Sequence, residues 1–168
     1  MGLGALSLAA CASPPQPSDG RADIDFIRGC WVDKSLGGRL VVFLRLLPPS
    51  QGAATLEGAL LLQSSDPELP VTNPERERFV FARDGSWAKL DFGVIPDETK
   101  TNTFHRITVD WAPDAPGLAM FSNQESPALY LLVQADAEYI SMGTTRGPAN
   151  DGSLEAHLVF QAERDGCD

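Results

Sequence analysis

Turn-forming residues recur along this chain about every eight to twelve positions, and that spacing limits the fold more than any other feature. Between them lie short apolar runs over 25–33, 38–47, 55–63, 77–83, 86–93, 103–111, 117–122, 127–134, 137–143 and 153–163. Gly37-Gly38, Asp84-Gly85, Pro113-Asp114-Ala115-Pro116-Gly117 and Asn150-Asp151-Gly152 supply the positive-φ or fixed-φ positions that turns need. No stretch longer than about ten residues keeps a 3.6-residue apolar period between turn signals. The expected class is therefore all-β. Short connections favour an antiparallel up-and-down meander of 8–10 strands, and closure of that meander gives a barrel. A β-sandwich fits the same strand pattern. At 168 residues the chain has the length of one domain and buries roughly two-thirds of its unfolded surface, enough for a core without metal or dense disulfides.

Successive strand side chains point to opposite sides, so alternation assigns faces. In the last run Leu154, Ala156, Leu158, Phe160 and Ala162 share one side and Glu155, His157, Gln161 and Glu163 the other. In 103–111, Ile107, Val109 and Trp111 form the apolar set, with His105 on their side and Phe104 opposite. His105 and Trp111 are thus candidates to line an interior, His105 as a polar contact for a ligand or as a hydrogen-bonded core histidine. Runs 40–47 and 56–63 are apolar on both faces, as where one face meets the core and the other is covered.

Residues 64–76 (SSDPELPVTNPER) make the longest interruption, a rim loop or a plain surface excursion. The chain has no G-x-S-x-G elbow, HExxH, phosphate loop, GxGxxG, CxxC or Cys/His zinc spacing. No catalytic residue, metal ligand or cofactor site is expected. Asp23/Asp25, Asp97/Glu98 and Asp136/Glu138 fall in the tether or in turns and read as solvated turn carboxylates. Acidic residues outnumber basic ones 23 to 13, for a net charge of -10, so the surface repels phosphate backbones and nucleic acid is excluded as a partner.

Residues 1–10 (MGLGALSLAA) are small and apolar, and Leu8-Ala9-Ala10-Cys11 resembles the lipobox of bacterial lipoproteins. The resemblance implies cleavage before Cys11, acylation of that cysteine and attachment to a membrane. Residues 11–24 then form a Pro-rich tether, and 25–168 the domain. No Lys or Arg precedes Cys11, so the basic part of the signal is expected upstream of Met1. Ten residues cannot span a bilayer as a helix. Ala12 and Ser13, rather than Asp, after the cysteine resemble lipoproteins sorted to the outer membrane, on its periplasmic side. Export to an oxidising compartment leaves Cys30 and Cys167 to pair as a disulfide; two free buried thiols are the alternative.

Asp25-Phe26-Ile27-Arg28-Gly29-Cys30-Trp31, with its G-x-W at the start of an all-β meander, resembles the calycin superfamily of lipocalins and fatty-acid-binding-type barrels. That resemblance implies a closed barrel with Trp31 plugging one end and a late basic residue, by position Arg164, packed over it. Cys30 then faces away from Trp31, within reach of Cys167 if the first and last strands are neighbours. Ten strands exceed the lipocalin eight and sit better with fatty-acid-binding-type or nitrobindin-like barrels. The resemblance also implies a non-catalytic monomer binding a small hydrophobic or amphipathic molecule, with Trp31, His105, Trp111 and the apolar residues of 40–46 and 129–133 lining the site. A protein-interaction module of the envelope, an inhibitor or assembly factor with a filled barrel core, is the other expectation.

Overall fold

The computed structural model describes residues 23–35, 37, 39–64, 66–68, 70–71, 75–92, 100–108, 116–125, 128–146 and 157–167. The expected signal segment and most of the expected tether, with Cys11, lie outside the described residues, as do Trp111, Leu154 and Ala156. Ten strands follow in order: β1 (Gly29–Asp33), β2 (Leu40–Leu46), β3 (Thr55–Ser64), β4 (Glu75–Ala82), β5 (Trp87–Phe92), β6 (Lys100–Arg106), β7 (Leu118–Ser122), β8 (Leu129–Ala135), β9 (Tyr139–Arg146) and β10 (His157–Asp165). Each pairs antiparallel with its neighbours in sequence, and β10 pairs with β1 through Cys30↔Asp165, Trp31↔Arg164 and Val32↔Glu163. The expected meander is therefore a closed ten-stranded barrel, lipocalin-like at the level of class. Closure leaves no sheet edge exposed.

The hairpin expected at Asp84-Gly85 joins β4 to β5. Gly85 takes φ 71°, which an L side chain resists, and the Asp84 carboxylate accepts from the Ser86 N–H and hydroxyl.

Two local differences from simple alternation have physical causes. Residues 25–27, expected as the start of the first strand, instead join Ile24 in a short 3₁₀ turn. Asp23 caps it by accepting from the Asp25 N–H, and a turn of this pitch puts Ile24 and Ile27 on one side, both fully buried. The Arg83 guanidinium clamps the turn to the β4–β5 hairpin by a forked ion pair with Asp25, Nε donating to Oδ1 at 2.8 Å and Nη2 to Oδ2. In β10 the register shifts between Leu158 and Phe160. The strict alternation expected over 154–162 breaks at this bulge, and the backbone of His157 pairs with Thr144 of β9.

Candidate functional site

The 3₁₀ turn closes one end of the barrel, and the G-x-W segment builds that end. Trp31 is fully buried, and its indole N–H donates to the Ile27 carbonyl at 3.0 Å. Arg164 lies over the Trp31 ring with its guanidinium carbon 4.2 Å from the centroid, as the calycin resemblance implies. Its two Nη atoms donate to the carbonyls of Arg28 and Asp136, and its backbone N–H to Glu138. Gly29 makes room for this: it has φ 148°, and a Cβ there would stand 2.8 Å from Arg164 Nη1. Cys30 and Cys167 form the disulfide, with Cα atoms 5.3 Å apart. Trp31 has both its face and its N–H engaged by the protein, which makes it a plug of the closed end.

Above the plug, inward side chains from all ten strands merge into one apolar cluster. Trp31, Phe79, Phe81, Phe104 and Phe121 are each no more than 1% exposed. Phe79 stacks on Phe81 at 6.2 Å between centroids, and Phe81 meets Phe121 tilted at 6.1 Å. A side chain with no accessible surface has no water-sized void beside it, so this part of the interior is filled. Val42 and Leu129, packed against the cluster, are partly exposed, as is Phe26 of the 3₁₀ turn.

The structure reverses the facing expected for β6. His105 is exposed, while Phe104 is fully buried and Asn102 is 8% exposed. The strand ends at Arg106, so alternation counted back from Trp111 does not carry through, and the larger apolar gain from burying Phe104 sets the register. His105 therefore does not line the interior. Among the expected liners in β2 and β8, Leu44, Leu46, Leu131 and Val133 are buried in the core.

Outside the barrel, a groove of about 640 Å³ crosses the face of β8, β9, β10 and β1. Its floor holds two cross-strand rows of side chains. Gln161, Ser141 and Gln134 are register partners across β10, β9 and β8, and Val32, Glu163 and Tyr139 across β1, β10 and β9. Their neighbours along each strand, Ala162, Ile140, Met142, Val133 and Ala135, are buried inside, which turns these rows outward. Tyr139 is 53% exposed. Lys34 and Ser35 of the β1–β2 connection and Pro116 form the walls. Asp136 sits at one end, its pKa lowered from the ordinary carboxylate value because its Oδ1 accepts from the Glu138 and Tyr139 N–H groups, with Arg164 nearby adding to the effect. Sequence reasoning passed over Gln134, Ser141 and Gln161 because each is an ordinary outward residue on its own strand. Only the register assembles them.

A smaller hollow of about 470 Å³ lies at the end of β3, lined by Leu62, Ser64, Asp66 and Pro70 among others. Among the described residues no group of three or more His, Cys, Asp or Glu side chains is placed to hold a metal ion. Comparison with protein-family models, with curated proteins and with solved structures gives no match to this chain.

Proposed function

We propose that this chain is an envelope lipoprotein whose filled β-barrel works as a binding module from its outer surface. Acylation of Cys11 at Leu8-Ala9-Ala10-Cys11, followed by the Pro-rich tether, would hold the barrel on the periplasmic side of the outer membrane. The Cys30–Cys167 bridge supports an oxidising compartment. The observation that carries the reading is the interior: a small apolar cargo needs the space that Phe79, Phe81, Phe104, Phe121 and Leu131 occupy. The groove over β8–β9–β10–β1 is then the surface that meets a partner in the envelope.

A second reading, a hydrophobic or amphipathic molecule held beside Val42 and Leu129, draws on their partial exposure. Native mass spectrometry of the full chain produced in a bacterial envelope tests both. A chain beginning at acylated Cys11, with no free thiol and no co-purified molecule, is the outcome expected for the filled module. A stoichiometric apolar molecule retained after detergent exchange refutes the filled barrel in favour of the second reading. An unprocessed, unacylated N-terminus refutes the anchor.

A further inference from the structure

We propose that the groove over β8–β9–β10–β1 binds a neutral, hydroxyl-rich ligand, the chemistry of a glycan chain. This inference rests on the surface-binding reading and names the ligand class for it. Three features of the groove bear on the ligand. The first is the row Gln161–Ser141–Gln134: two carboxamides flank a hydroxyl across three adjacent strands. Carboxamides and hydroxyls each both donate and accept, as sugar hydroxyls do, so successive hydroxyls along a chain find complementary partners in either orientation. Their strand backbones are already paired in the ladder, which leaves the side chains as the groups that face a ligand.

The second is Tyr139, a large aromatic ring 53% exposed and lining the same groove one row away. An aromatic ring offers a flat apolar face with a polar tip, which suits a pyranose whose ring C–H groups are apolar and whose rim is polar. Its register partner Glu163 adds a carboxylate acceptor beside the ring. The third is charge. Lys34 stands in the lining against Asp33, Asp136 and Glu163, so the groove repels anions such as phosphorylated or uronic-acid polymers. A volume of about 640 Å³ lies in the range of small-ligand sites. A protein partner would instead be met by a buried apolar anchor within a larger patch, and these two rows carry amides, a hydroxyl and a carboxylate, with Tyr139 exposed and Val32 only 4% exposed.

The experiment is a nuclear magnetic resonance titration of the full, disulfide-bonded chain, labelled with ¹⁵N. The probes are three neutral trisaccharides, of α-linked glucose, β-linked glucose and β-linked N-acetylglucosamine, with a heparin-type sulfated disaccharide as the anionic control. The expected result is saturable shifts of the Gln134 and Gln161 side-chain amides with at least one neutral trisaccharide and none with the sulfated sugar. Tyr139→Ala should weaken that binding about tenfold with the spectrum otherwise preserved, and Leu61→Ser, on the outer face of β3, should leave it unchanged. Absence of shifts with all three trisaccharides overturns the proposal, as does binding that survives both Tyr139→Ala and Gln161→Ala. If a lysine-rich peptide shifts the same amides while the sugars do not, the ligand class fails and the surface-binding reading stands. A co-purified apolar molecule in the mass measurement above refutes that reading separately.

Discussion

Closing a barrel requires its first and last strands to meet, and here a covalent bond enforces the meeting. Cys30 in β1 and Cys167 just after β10 are 137 positions apart. In the chain-entropy model a cross-link closing a loop of that length removes denatured-state entropy equivalent to about 5 kcal/mol at 25 °C. The Cα separation of 5.3 Å falls within the ordinary range, and the β1–β10 ladder forms beside the bridge, so no distortion of the native backbone offsets the gain. Residual compactness of the denatured chain lowers the figure, and the expected loss on Cys30→Ala/Cys167→Ala is about 3–5 kcal/mol. Urea unfolding of the full chain followed by tryptophan fluorescence measures it. The midpoint should fall, and the denaturant slope should rise because the uncross-linked denatured state exposes more surface. A loss under about 1 kcal/mol with an unchanged slope would show that the β1–β10 ladder alone closes the barrel, and would refute the entropic argument.

The closed end offers further tests. Arg164→Ala removes a guanidinium from the Trp31 face and two donors from carbonyls, and should cost about 1–2 kcal/mol with a change in tryptophan emission; an unaltered emission and midpoint would refute the contact. Gly29→Ala forces an L side chain to φ 148° against Arg164 and should cost about 1–3 kcal/mol, measured by the same unfolding curves. Phe104→Ala should cost about 3–5 kcal/mol and His105→Ala less than about 0.5; the reverse order would refute the facing of β6. Asp136 has its folded-state pKa depressed, so its contribution is present above the ordinary value of 3.8 and is lost as pH falls through the folded-state value. Acid unfolding of Asp136→Asn should therefore show a shallower loss of stability below that pH than the parent chain. An identical acid slope would remove Asp136 from the account.

Turn chemistry made the strand count legible. Each of the ten apolar runs overlaps a strand, and Asp84-Gly85 sits at its hairpin, because φ > 0 and side-chain capping are local demands that local residues must meet. Facing was less legible where a strand ended early or bulged. Trp111 drew the alternation of 103–111 past the end of β6, and the bulge before Phe160 broke a pattern that looked strict over 154–162. Both depend on how far pairing to the neighbouring strand extends, which no single segment encodes. The Trp31–Arg164 contact was within reach only through the calycin resemblance, since 133 residues separate the two. Gln134, Ser141 and Gln161 had no sequence signal at all.

Whether a barrel holds a cargo or its own side chains is decided by volume, and alternation is blind to volume. Eight strands enclose an interior just wide enough for side chains to fill, and ten enclose more. Filling the wider space takes larger residues. The inward positions of β4, β6 and β7 carry Phe79, Phe81, Phe104 and Phe121, in one cluster with Trp31. Smaller residues stand elsewhere in the same cluster, Ala88 on β5, Ala119 on β7 and Ala162 on β10, so large and small side chains interdigitate across the axis. Trimming one aromatic in this arrangement converts the argument into a measurement. Phe79→Ala should open a cavity beside Phe81, lowering stability by about 3–5 kcal/mol and creating a site for benzene or xenon that the parent chain lacks. If the parent chain already takes up benzene with the same affinity, the interior was never filled, and the outer groove loses its claim to be the place where this protein binds.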